Sequence, residues 1–180
     1  LTETIVNFHN TPWRYENFRK ADEEDLCGRA ASVKAEIDFV NSEKDFYSVL
    51  FDNQKAGKLH FRVTHNDTKP NNVMLDAATK KAICVIDLDT VMPGLALYDF
   101  GDSIRFGANS CAEDDDNYDK IEIMLDYFEA YAKGFLSEAG EALNQCEIDN
   151  LAFSAKLMTF ECGMRFLTDY LNGDTYFKTA

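Results

Sequence analysis

Histidine, paired cysteine and positive charge are all scarce in this chain. Three histidines among 180 residues argue against a His-rich zinc site, which gathers imidazoles into one cluster. The five cysteines (Cys27, Cys84, Cys111, Cys146, Cys162) contain no CxxC pair. Their odd number suits reduced thiols in the cytoplasm better than a disulfide framework. Eighteen basic residues face 32 acidic ones, a formal charge of −14. So acidic a chain lacks the basic patch that a phosphate backbone needs, so nucleic acid is not an expected partner. No apolar run approaches the roughly 20 residues that span a bilayer, which leaves no membrane partner, and no signal peptide opens the chain. The glycines are scattered and form no GxGxxG, so no glycine-rich lid over nucleotide phosphates is visible. The length suffices for one hydrophobic core, and nothing in the sequence marks a second.

What is present is concentrated between Thr64 and Asp89. Thr64-His65-Asn66-Asp67-Thr68-Lys69-Pro70-Asn71-Asn72 reads His-x-Asp-x-x-x-x-Asn. It lies between two apolar runs, Leu59 to Val63 and Val73 to Leu75. In phosphoryl transfer an aspartate on a rigid loop accepts the proton of the attacking hydroxyl, and an asparagine five positions on holds magnesium. Asp67 and Asn72 stand at those offsets. Lys69, two residues past the base, is placed to steady the transferred phosphoryl group, or is a plain surface lysine. A second metal ligand is expected on a following strand. The apolar run Ala82 to Ile86 ends at Asp87-Leu88-Asp89, and five residues, Asp76 to Lys80, join it to Val73–Leu75 as a hairpin loop does. Such a hairpin brings Asn72 and Asp87 together at its open end, with Asp89 as a possible further contact.

A literal Asp99-Phe100-Gly101 competes for the metal role, since protein kinases use that triplet for magnesium. Asp99 falls inside a predicted helix, whereas Asp87 ends the strand after the catalytic loop. Asp87 is therefore the expected ligand, and Asp99 is expected to brace the loop through hydrogen bonds. His65 is expected to pin the loop through its ring nitrogens.

Around this centre the pattern is mainly helical. Asn10-Thr11-Pro12 opens a helix, with Trp13, Phe18 and Leu26 as apolar anchors of short helices reaching about Val33. Ser42-Glu43-Lys44-Asp45 opens another in capping-box style, with Phe46, Val49 and Leu50 at helical spacing and Gly57 as its stop. The chain turns helical again from Pro93, with Leu97, Phe100, Ile104 and Arg105 spaced for one packed face and one exposed. Glu113-Asp114-Asp115-Asp116 reads as a solvated loop, lacking the glycine and late glutamate of a calcium loop. Ile121, Leu125, Phe128, Ala132 and Phe135 mark an amphipathic helix closed near Gly140. A last long helix follows Asn144, paired with Glu147, and runs to Gly173.

HNDTKPNN followed by VIDLDTVMPG resembles the aminoglycoside phosphotransferase and choline kinase-like family. Within it, THNDTKPNNVMLD, VIDLDTVMPGLALYDFGDSIRFGA and AKLMTFECGMRFLTDYLNGDTYF resemble the N-acetylhexosamine kinase branch, from about Phe8 to Phe177. The resemblance implies an α+β, mainly α fold, the C-terminal lobe of the protein kinase-like architecture. It implies ATP as co-substrate, Mg2+, and an N-acetylhexosamine as acceptor. It also implies that Thr90, Arg165 and Tyr176 contact the sugar and that Phe106 walls the acetamido group. Arg165 alternatively pairs with Glu161, four residues earlier. In that family the glycine-rich lid and a Lys–Glu pair lie in an N-terminal lobe. The chain is therefore expected to be the C-terminal lobe alone, and inactive without the other lobe. Two alternatives stay open: a kinase-like phosphotransferase for an aminoglycoside, choline or homoserine, and a non-catalytic binding module with the same fold.

Overall fold

The computed structural model describes residues 2–111, 115 and 117–177; three of the four residues of the expected acidic loop (Glu113, Asp114, Asp116) lie outside them. Among the described residues the fold is α+β and mainly α, with two small antiparallel sheets. Where one core was expected, the chain forms two compact units. Residues 1–6 and 59–158 make the first, and residues 7–58 and 159–180 make the second.

In the first unit β1 (Arg62–Thr64) pairs antiparallel with β4 (Met92–Gly94), Val63 opposite Pro93. Helix was expected from Pro93, but the proline sits in this strand, in a sheet of only two strands where its missing N–H is tolerated. Helix α4 (Ala96–Gly107) starts three residues later. Strands β2 (Val73–Leu75) and β3 (Ala82–Val85) form the expected hairpin, Val73 opposite Val85. Its turn is closed by Asp76, whose Oδ1 accepts the Thr79 N–H at 2.7 Å.

Helix α4 buries Leu97, Phe100 and Ile104 at the spacing read from the sequence. Burial of one such side chain stabilises by about 1.5–3 kcal/mol. Phe100 is covered by α5 (Leu125–Ala139): Phe128, Tyr131 and Phe135 lie 6.1, 5.6 and 5.2 Å from its ring centre. Ile121 falls before that helix and is exposed, as is Leu125. The last helix is two helices. A capping box between Asn144 and Glu147 starts α6 (Gln145–Asp149), which ends at Asn150, and α7 (Leu151–Leu171) follows. Gly101 of α4 faces α7 so closely that a Cβ there would stand 2.5 Å from the Ser154 carbonyl oxygen. The glycine of the literal Asp-Phe-Gly is thus a helix-packing residue.

The second unit is built on α1 (Thr11–Glu24), whose N-cap Asn10 accepts the Trp13 N–H at 3.1 Å. Of the expected anchors Phe18 is buried and Trp13 and Leu26 are not. Tyr15, Phe18 and Ala21 recur every three residues and are buried, while Trp13 is 40% and Leu26 70% exposed. They pack with Ile37 and Val40 of α2 (Lys34–Ser42) and with Phe160, Met164 and Leu171 of α7. Ser42 closes α2 rather than opening a helix, its hydroxyl turned back onto the Phe39 carbonyl. Helix α3 (Val49–Lys55) begins later and stops where expected, with Gly57 left-handed at φ +71°.

Candidate active site

Between the end of β1 at Thr64 and a single 3-10 turn at Pro70–Asn72 the loop is irregular, so its shape depends on side chains. Asp99, in the first turn of α4, supplies the main clamp. Its Oδ2 accepts the His65 N–H at 2.9 Å and its Oδ1 the Asn66 N–H at 2.7 Å. A carboxylate at the start of a helix also faces favourable backbone dipoles. Asn66 takes a left-handed φ of +65°, which asparagine tolerates better than most residues. Its buried side chain donates to the carbonyls of Thr64 (3.2 Å) and Thr90 (2.9 Å) and accepts from the Thr64 hydroxyl (2.9 Å). Gly94 on β4 lies against that pair, where any Cβ would collide with Thr64 and Asn66. Asn66 was not among the residues singled out from the sequence, because a positive φ leaves no compositional mark.

His65 reaches the Ile86 carbonyl with Nε2 at 3.0 Å. A carbonyl only accepts, so Nε2 carries the proton, and Nδ1 accepts the Asp67 N–H at 3.3 Å. One ring therefore ties the loop to the end of the hairpin. Thr68 donates its hydroxyl to the Asp99 carbonyl (2.6 Å). Ser103 donates to the Thr68 carbonyl (3.1 Å), and the Tyr131 hydroxyl donates to Ser103 (2.8 Å). Burial, with the charges of Asp99 and Asp102, outweighs the Ser103 hydrogen bond and holds the Tyr131 phenol above its usual pKa, so it stays a donor.

Held this way, Asp67 meets its two expected companions. Its Oδ2 receives the Lys69 ammonium at 3.0 Å and the Asn72 amide at 3.0 Å, and Asn72 also donates to the Asp67 carbonyl at 2.8 Å. Burial pulls the Lys69 ammonium down. The hydrogen bond and charge of Asp67, with the charges of Asp87 and Asp102, more than reverse this and raise its pKa. Asp87 is exposed, with φ +60°, at the open end of the hairpin. There the Ile86 N–H donates to the Asn72 carbonyl at 2.9 Å, so Asn72 and Asp87 flank one junction.

Asp89 and Thr90 share the short turn after Asp87. Asp89 is exposed, and the Thr90 hydroxyl donates to the His65 carbonyl at 2.7 Å. Phe106 is half-buried near the end of α4, with the Arg105 guanidinium 6.0 Å from its ring centre. Arg105 is held by Asp102 Oδ1 at 3.0 Å, while the buried Asp102 Oδ2 has no hydrogen-bond partner among the described residues.

Arg165 and Tyr176 belong to the second unit. The Arg165 guanidinium lies 5.4 Å from the Phe8 ring centre and 5.6 Å from that of Phe177. Glu161 is fully buried, and its close partners are His9 Nδ1 at 2.8 Å and the Thr11 hydroxyl. Burial pushes its carboxyl up, but His9, Thr11 and the charge of Arg165 together hold it below the usual range. Tyr176 is exposed, its N–H bonded to Asp169 at 2.9 Å. Among the described residues no three His, Cys, Asp or Glu side chains converge as a metal cage, and no helix is long and apolar enough to cross a membrane. None of the five cysteines is in a disulfide.

The model of the phosphotransferase enzyme family matches residues 2–134, a span that holds the clamped loop, the hairpin and α4 but neither Arg165 nor Tyr176. Such a family implies small-molecule substrates, ATP among them, and usually a divalent metal. The chain belongs to the phosphotransferase enzyme family, in the protein kinase-like superfamily.

Proposed function

We propose that the protein transfers the γ-phosphoryl group of ATP to a hydroxyl of an N-acetylhexosamine, the anomeric one, with Asp67 as general base. The observation that carries this reading is the way Asp67 is held. Its backbone is fixed by His65, and its Oδ2 is occupied by Lys69 and Asn72. Oδ1 is left to take the acceptor proton as the hydroxyl oxygen bonds to phosphorus and the bond to ADP breaks. Lys69, kept charged by its carboxylate neighbours, is placed for the transferred phosphoryl oxygens.

The donor set fits magnesium. Asn72 spends its N–H groups on Asp67, which leaves its amide oxygen as a ligand, and Asp87 offers an exposed carboxylate at the same junction. Two oxygen donors suit an ion that completes its shell from water and phosphate oxygens. When bound, it neutralises charge on the phosphates. The literal triplet offers no such site, because both oxygens of Asp99 are engaged by the loop.

The acceptor assignment rests on the hexosamine-type strings. Thr90, Phe106, Arg165 and Tyr176 are proposed as sugar contacts on the strength of that resemblance alone. Thr90 gives its hydroxyl proton to His65, so it would meet a sugar hydroxyl as an acceptor. A guanidinium among the contacts suits a neutral sugar better than a polycationic antibiotic. The chain is proposed to act as the C-terminal lobe, because it supplies base and metal donors but no glycine-rich lid. The test is an acceptor screen on the whole protein with Mg-ATP and N-acetylglucosamine, N-acetylgalactosamine, choline or kanamycin, products read by mass and phosphorus NMR. A sugar 1-phosphate is expected. Transfer only to choline or kanamycin overturns the hexosamine assignment, and no transfer at all overturns the phosphotransfer reading.

A further inference from the structure

In the second unit one carboxylate sets the course of the chain beyond α7. Asp169, in the last turn of that helix, is 7% exposed. Its Oδ1 accepts the Thr175 N–H (3.0 Å), the Thr175 hydroxyl (3.0 Å) and the Tyr176 N–H (2.9 Å), and its Oδ2 accepts the Phe177 N–H (2.7 Å). Burial alone would raise this carboxyl. The amides of Phe177, Tyr176 and Thr175, with the Thr175 hydroxyl, bring it below its usual range instead. Three successive amides on one anion form a backbone nest. The turn before it is held from the other side, where Arg29 donates to the Tyr170 carbonyl at 2.9 Å and pairs with Asp174 at 2.6 Å. Gly173 at φ +92° and Asp174 at φ +58° reverse the chain there.

The consequence is felt at two side chains. Phe177 stacks on Phe166 with centroids 4.1 Å apart, and its ring is one of the two beside the Arg165 guanidinium. Tyr176, between two clamped amides, is left 68% exposed. A buried carboxylate thus commits four hydrogen bonds to a segment whose visible output is the placement of one guanidinium and one phenol.

We propose that Asp169 is a positioning residue for acceptor binding: it fixes residues 175–177 so that Phe177 orients Arg165 and Tyr176 is presented in one place. The assignment rests on the reading of Arg165 and Tyr176 as acceptor contacts. It accounts for affinity by preorganisation, since a segment ordered before binding costs less to order on binding.

The experiment compares the whole protein with its Asp169→Asn, Tyr176→Phe and doubly substituted forms. Hydrogen exchange of amides 175–177 is measured first, then kcat and both KM values with whichever of N-acetylglucosamine, N-acetylgalactosamine, choline or kanamycin is turned over. Asp169→Asn is expected to speed exchange and raise acceptor KM about tenfold, with ATP KM and kcat within about twofold. Adding Tyr176→Phe should then cost less than it does alone, because both act on one arrangement. Faster exchange with unchanged acceptor KM would mean a purely structural clamp, and the proposal falls. It falls equally if kcat or ATP KM moves instead. A tenfold rise seen with choline or kanamycin would retire the hexosamine reading while leaving the clamp in place.

Discussion

Two segments of this protein solve the same problem at different ranges. The loop from Thr64 to Asn72 and the tail from Thr175 to Phe177 are both irregular, and both are shaped by a carboxylate that collects consecutive backbone amides. Asp99 lies more than 30 residues from the amides it holds, and Asp169 six to eight from its own. The difference lies in redundancy. The loop is also gripped by His65, Asn66, Thr68 and Thr90, reaching Ile86, Asp99 and the turn at Thr90. The tail has the nest, the Arg29 pair and one aromatic stack. The loop proposed to hold the base has several supports, whereas the segment proposed to hold a binding contact has few.

The comparison is broken most severely by removing what the loop is built to present. Asp67→Asn should lower kcat by on the order of a hundredfold or more and leave acceptor KM nearly unchanged, as loss of a general base does. Steady-state kinetics decide it, and a loss below about tenfold would remove Asp67 from that role. The next effect separates clamp from ligand. Asp87→Asn should abolish magnesium-dependent nucleotide binding. Asp99→Asn should keep that binding and lower kcat about tenfold by loosening two amides. Calorimetric titration with Mg-ATP reads both, and the opposite pattern would exchange their assignments.

The smallest effect sharpens the contrast through pH. Glu161 and Asp169 are both held below ordinary carboxylate values. Groups depressed in the folded state stabilise it above their unfolded pKa of about 4, and that contribution is lost as pH falls through the lower folded value. The second unit should therefore lose protection in hydrogen exchange as pH drops from about 5 towards 3. Glu161→Gln should flatten that slope, and an unchanged slope would remove Glu161 as its source.

How legible these features were depended on range. His65, Asp67, Lys69 and Asn72 sit within eight positions, so their spacing alone carried the expectation of a catalytic loop, and two β-length apolar runs announced the hairpin that forms. Asp99 was expected from its helix context to brace the loop, and it accepts the His65 and Asn66 amides. Asn66 stayed hidden because its role depends on φ. The Tyr131–Ser103–Thr68 chain stayed hidden because it joins three elements with no shared pattern. Trp13 and Leu26 misled because hydrophobicity was read without phase, whereas Tyr15, Phe18 and Ala21 define the inward stripe. Ser42 misled because a serine can cap a helix start or bond backwards at a helix end. The division into two units was invisible, since each is assembled from segments remote in sequence.

That interleaving imposes an order on synthesis. Residues 7–58 leave the ribosome before residues 59–158, yet the partners that complete their unit, residues 159–180, leave after them. Phe18, Ile37 and Val40 must wait for Phe160, Met164 and Leu171 while about a hundred residues of the other unit emerge and fold. The nascent chain therefore carries an open apolar face while residues 59–158 are made, where chaperones act and aggregation begins. Stalled chains ending at residue 158 should show protected amides in α4 and rapid exchange in α1. Equal protection in both would mean that the first segment folds without its closing helix.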